Sequence, residues 1–90
     1  MSQAVQQIKE RISITDVIGG YVRLEKAGNN FRARCPFHNE KTPSFFVSPS
    51  RGTYRCFGCS KSGDIFSFIE EIEGLTFKET LLRLASQAGV

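Results

Sequence analysis

Every cysteine of this chain and its one histidine fall in two short clusters, Cys35-Pro36-Phe37-His38 and Cys56-Phe57-Gly58-Cys59, with 17 residues between them. Two intervening residues let a tight turn aim both end side chains at one ion, so each cluster offers half of a tetrahedron. Three thiols leave one over from any disulfide framework, and the N-terminal segment lacks the apolar stretch of an export signal. Four nitrogen and sulfur donors instead match the ligand count of structural zinc and leave no open position for a metal-bound water. Cys35, His38, Cys56 and Cys59 are therefore the expected ligands of one structural Zn2+. Iron at a thiolate-rich site, or buried free thiols beside a capped histidine, are the other readings of these residues.

A metal tether suits the length. A chain of 90 residues buries only roughly 60 to 65% of the surface its unfolded form exposes, so its core alone is marginal. This size argues against a self-contained enzyme with a large cleft. No run approaches the roughly 18 apolar residues that a membrane span needs. Residues 1–90 read as one unexported, soluble domain without a membrane partner. Because the sequence stops one residue after a helix-ending glycine, it is expected to be the N-terminal piece of a longer protein.

Val5, Ile8 and Ile12 recur at helical spacing over residues 3–12. Ser13 or Thr15 can cap a second short turn that Gly19-Gly20 stops. Tyr21 to Lys26 alternates apolar and charged, Gly28-Asn29-Asn30 is turn chemistry, and Phe31 to Cys35 alternates again, which predicts a hairpin. Pro43 and Pro49 bracket a third strand, and Ser50-Arg51-Gly52 turns into a fourth at Thr53–Cys56. Beyond Gly63 the period becomes helical, with a cap at Asp64, a stop at Gly74, and a Thr76/Glu79 capping box opening a last helix that runs to Gly89. The predicted class is α+β: a small antiparallel sheet of zinc-ribbon type flanked by short helices, with both ligand pairs at one end of the sheet.

The net charge of +3 is unevenly spread. From Arg23 to Lys61 eight basic residues face two acidic ones, whereas from Ser62 onward two basic residues meet five acidic ones. Side chains alternate along a strand, so Arg32 and Arg34 lie opposite Phe31, Ala33 and Cys35, and Arg55 lies opposite Cys56. If the cysteines face one ion, the arginines line the outer face. Phe45 shares parity with Val47 in a core-facing pair, which sends Phe46 outward. Cations with an outward ring suit single-stranded nucleic acid, since the cations follow phosphates while the ring stacks on a base. The plainer reading is of solvated arginines and a phenylalanine covered by a terminal helix. No nucleophile with a paired base, P-loop or magnesium-holding carboxylate motif is present, so no residue is assigned a catalytic role, and Asp64 reads as a helix cap.

Cys35-Pro36-Phe37-His38-Asn39-Glu40-Lys41-Thr42-Pro43-Ser44-Phe45, then Tyr54-Arg55-Cys56-Phe57-Gly58-Cys59, then Gly63-Asp64 before Phe66 and Phe68 closely resemble the N-terminal zinc-binding domain of bacterial DnaG-type DNA primases. The resemblance covers essentially the full length. It departs at Ser60-Lys61-Ser62-Gly63, where the family tends to have more glycine, and at Glu79-Thr80, where Glu-Ala is usual. It implies a module that binds single-stranded DNA template and helps choose where an RNA primer starts. Polymerisation would lie in a following Mg2+-dependent polymerase domain, the intact protein being a DNA-directed RNA polymerase that works with the replicative helicase in the bacterial cytoplasm, at the nucleoid. By position, the resemblance makes Cys35, His38, Cys56 and Cys59 the zinc ligands and puts the DNA face on Arg32, Arg34, Phe46, Arg55 and Lys61. The alternatives are a ribbon that mainly docks a polymerase or helicase, and the zinc module of a phage or plasmid primase-helicase.

Overall fold

The computed structural model describes residues 3–37 and 43–90. Its elements run α1 (Gln3–Arg11), α2 (Ile14–Gly19), β1 (Glu25–Ala27), β2 (Asn30–Ala33), β3 (Phe45–Ser48), β4 (Thr53–Cys56), β5 (Ser62–Gly63), α3 (Ile65–Glu73) and α4 (Phe77–Ala88). The strands form one antiparallel meander in the order β1-β2-β3-β4-β5. The class is α+β, a small zinc-ribbon-like sheet with helices packed on its inner face.

Short polar side chains start the helices where the sequence places them. Ser13 Oγ accepts the Asp16 N–H at 3.2 Å, and Asp64 Oδ1 accepts the Ser67 N–H at 3.0 Å. Thr76 and Glu79 form the reciprocal capping box, with bonds of 2.9 and 3.2 Å. Gly74 ends α3 at φ +67, a left-handed conformation that side chains resist.

Burial alternates strictly in the central strands: Phe45 and Val47 are buried in β3, and Tyr54 and Cys56 in β4, with Thr53 and Arg55 exposed between them. Phe68 of α3 is the hub of the core. The rings of Tyr21, Phe37 and Tyr54 lie 5.5, 5.5 and 5.6 Å from it. Charged contacts tie the helices around this hub, with Lys9 of α1 at 2.9 Å from Asp64 and Arg83 of α4 at 3.3 Å from Glu73. Arg11 Nη1 donates to the Gly89 carbonyl at 3.2 Å, holding the end of α4 against α1. Among the described residues no helix is long and apolar enough to cross a membrane.

Two expectations change. The strand foreseen over Tyr21–Lys26 is only Glu25–Ala27, because Tyr21 and Val22 still donate backbone bonds to Ile18 O, at 2.9 and 3.0 Å, as the exit of α2. Tyr21 then turns its ring onto Phe68 and donates to Glu73 Oε2 at 2.6 Å. The sheet also has a fifth strand. After the second cysteine pair the chain doubles back, the Cys56 N–H bonding Lys61 O at 2.8 Å, and Ser62 and Gly63 pair with Arg55 and Tyr54.

Candidate metal centre and basic sheet face

Cys35 lies just beyond β2, Cys56 closes β4, and Cys59 ends the turn that follows. Their three Sγ atoms lie within 4.8 Å of one another, Cys35 and Cys56 being buried and Cys59 half-buried. Cys35 Sγ is 3.7 Å from Cys59 Sγ. Zinc–sulfur bonds of about 2.3 Å make a tetrahedron with edges of about 3.8 Å, whereas a disulfide needs about 2.05 Å. The thiols are thus spaced as ligands of one ion. His38 lies outside the described residues.

The electrostatics point the same way. Burial pushes the Cys35 thiol up to about 12, and the adjoining Cys56 and Cys59 thiols add to this against the Phe37 N–H. Burial also raises Cys56, but the Cys59 N–H, the Cys35 thiol and the Gly58 N–H outweigh it and bring it down to about 7. Backbone N–H groups of the knuckle thus favour the thiolate form of Cys56. Three thiolates this close repel one another, and a divalent cation removes that repulsion. The three described thiols fit zinc, which when bound would join the two clusters and offset most of their negative charge.

On the opposite side of the sheet, strand register sets Arg32, Phe46, Arg55 and Ser62 in one row across β2, β3, β4 and β5. The row begins at Glu25, the partner of Arg32 in β1. Arg32 and Arg55 are exposed and Phe46 is half-buried. Arg34 sits past the end of β2 beside Arg23 and Pro43, extending the basic face without joining the row. Lys61 is not brought to this row. Its ammonium pairs with Glu71 of α3 and lies 5.8 Å from the Phe37 ring centre.

Sequence reasoning omitted two residues that the structure adds. Arg51 and Phe57 line the groove of about 770 Å³ that runs over the outer face past Phe46 and Arg55. The signal for Phe57 was available: the alternation Thr53 out, Tyr54 in, Arg55 out, Cys56 in continues through the turn.

A family model described as CHC2 zinc finger matches residues 1–90. A DNA primase of Thermotoga maritima is 48% identical over 88 residues, which make up 98% of this chain and 16% of that protein. One from Geobacillus stearothermophilus is 48% identical over 88 residues, 98% of this chain and 15% of that protein. A crystal structure of the Aquifex aeolicus primase, comprising its zinc binding and RNA polymerase domains, matches with a TM-score of 0.91 at 44% identity, covering 99% of this chain and 22% of that one. The chain thus spans 15 to 16% of the length of these two curated relatives.

Proposed function

The chain belongs to the CHC2 zinc finger family, and from that membership we propose that it is the zinc-binding module of a DNA primase. In this reading Cys35, His38, Cys56 and Cys59 hold one structural zinc, and the outer sheet face binds single-stranded DNA template and helps select where an RNA primer begins. The observation that carries the reading is the Arg32–Phe46–Arg55 row, two cations flanking a ring in register on the face turned away from the helices. Arg34 extends that cationic track. Lys61 joins the proposed DNA contacts from beside the row, where its exposed ammonium also pairs with Glu71. Primer synthesis itself belongs to a Mg2+-dependent polymerase domain elsewhere in the intact protein, acting with the replicative helicase at the bacterial nucleoid.

Single-stranded DNA binding measured against salt tests the reading. If three or four cations meet phosphates, log affinity falls against log salt with a slope of roughly −2 to −3, at about −0.7 per phosphate. The Arg32→Ala/Arg34→Ala/Arg55→Ala variant should lose both the affinity and the slope. A flat salt response, or unchanged binding by that variant, would favour a surface that docks a polymerase or helicase instead.

A further inference from the structure

At its metal end the outer groove closes in a corner made of two rings. The Phe46 and Phe57 centroids are 5.5 Å apart with planes inclined at 70°. Phe57 is the most exposed large apolar side chain among the described residues, at 65%. The metal does not require this ring, since Phe57 offers no ligand atom and only its backbone holds the knuckle, its N–H bonding Ser44 O at 2.9 Å. The other knuckle makes the contrast: Phe37 turns inward against Phe45, Tyr54 and Phe68. One cluster thus spends its phenylalanine on the core while the other presents it to solvent on a braced turn.

What surrounds Phe57 selects its ligand. The Arg55 guanidinium carbon lies 5.3 Å from the ring centre, and the groove lining includes Arg51 and Arg55 but no carboxylate among the described residues. A ring with a cation beside it, in a groove whose described lining carries no acid, favours a planar, electron-rich group joined to a phosphate chain. We propose that Phe57 is the principal ring on which an unpaired base of single-stranded nucleic acid stacks, with Arg55 beside it and Phe46 bracing the corner. This rests on reading the sheet face as a single-strand surface. Because Phe57 immediately follows Cys56, stacking and metal binding share one rigid turn, and the knuckle fixes where along the groove the stacked base sits.

The chain contains no tryptophan, so Phe57→Trp installs a single reporter at the corner. Two probes are compared: a deoxythymidine dodecamer, and a dodecamer of the same phosphate backbone with every base removed. Tryptophan fluorescence should be quenched by the first and not by the second. Phe57→Leu, checked to keep its zinc and melting temperature, should bind the thymidine oligomer about tenfold more weakly, with an unchanged salt slope because no charge is lost, and should match the wild type on the abasic strand. Equal binding of the thymidine oligomer by Phe57→Leu, or tryptophan left unquenched while that oligomer is bound, would overturn the role of Phe57 and leave the sheet-face reading standing. Should Phe57→Leu lose its metal, the tryptophan signal decides alone. Failure of the wild type to bind either oligomer at low salt would remove the sheet-face reading and this inference with it.

Discussion

Phe45 and Phe46 are adjacent in sequence and opposite in environment: Phe45 is fully buried against Phe37, Tyr54 and Phe68, whereas Phe46 is half-buried on the outer face. Truncating a core phenylalanine costs about 3 to 5 kcal/mol in transfer and cavity energy. Phe45→Ala should therefore leave little folded protein in a thermal melt, while Phe46→Ala should melt near the wild type and lose affinity for single-stranded DNA as the corner loosens. A reversed pair of melting temperatures would mean that the strand's faces are exchanged. Thr80 offers a change of opposite sign. It is fully buried in α4 and its hydroxyl has no hydrogen-bond partner among the described residues. Valine keeps the shape, has a similar helix propensity and removes the orphaned polar atom. Thr80→Val should raise stability by about 1 kcal/mol, read as a higher urea midpoint at unchanged slope, and a lower midpoint would show that the hydroxyl has a partner after all.

Between elements, β5 meets the first turn of α3 at close quarters. A Cβ on Gly63 would lie 2.5 Å from Ser67 Cβ and 2.7 Å from its Oγ, and φ at Gly63 is +158. Gly63→Ala should thus push α3 away from the sheet and cost about 1 to 3 kcal/mol, visible as a lower melting temperature; an unchanged melt would mean that the joint is slack. Asp64 beside it caps α3 and pairs with Lys9. Burial would raise its carboxyl, but the Lys9 bond and the Ser67 N–H hold it below the usual carboxylate range. A lowered folded pKa stabilises the protein above the ordinary carboxylate pKa, and that contribution disappears as pH falls through the lowered value. The caps of α2, α3 and α4 and the β3 and β4 faces were legible because capping and two-residue alternation are local codes. Strand β5 was not, since two residues cannot display a period and its pairing depends on the turn after Cys56. Neither was the shortening of β1: Tyr21 alternates like a strand residue, yet its fate is set by Phe68 and Glu73, 47 and 52 positions away.

At the scale of the whole molecule, a small core and the proposed zinc site would divide the work of holding the sheet. Apparent binding energies of structural zinc are about 10 to 16 kcal/mol, against the roughly 5 to 15 kcal/mol by which domains are stable. Protein purified without added zinc should carry about one ion per chain, and chelation or Cys56→Ser should unfold it; an unaltered far-UV spectrum and melt after metal loss would contradict this. The convergence of Cys35, Cys56 and Cys59 was legible, because ligand spacing is written directly in the sequence, while His38 lies outside the described residues. The basic face was legible only in part, because how each cation is paired depends on residues outside its own strand, as Lys61 shows by pairing with Glu71 of α3. The same allocation of charge separates binding from chemistry. Among the described residues the side chains that converge as metal ligands are the three cysteines, with no acidic cluster beside them, while Asp64 pairs with Lys9 and a helix end, Glu71 with Lys61, and Glu73 with Tyr21 and Arg83. Two-metal nucleotide chemistry needs acidic side chains converging on ions about 3.5 to 4 Å apart. The 90-residue chain incubated with single-stranded template, ribonucleotides and magnesium should therefore make no primer, whereas the intact protein should. A primase lacking this domain should keep its polymerising centre and lose site-selective starts. Primer made by the isolated chain would overturn the assignment of a binding module, and full-rate, site-selective starts by the truncated enzyme would show that start selection resides elsewhere.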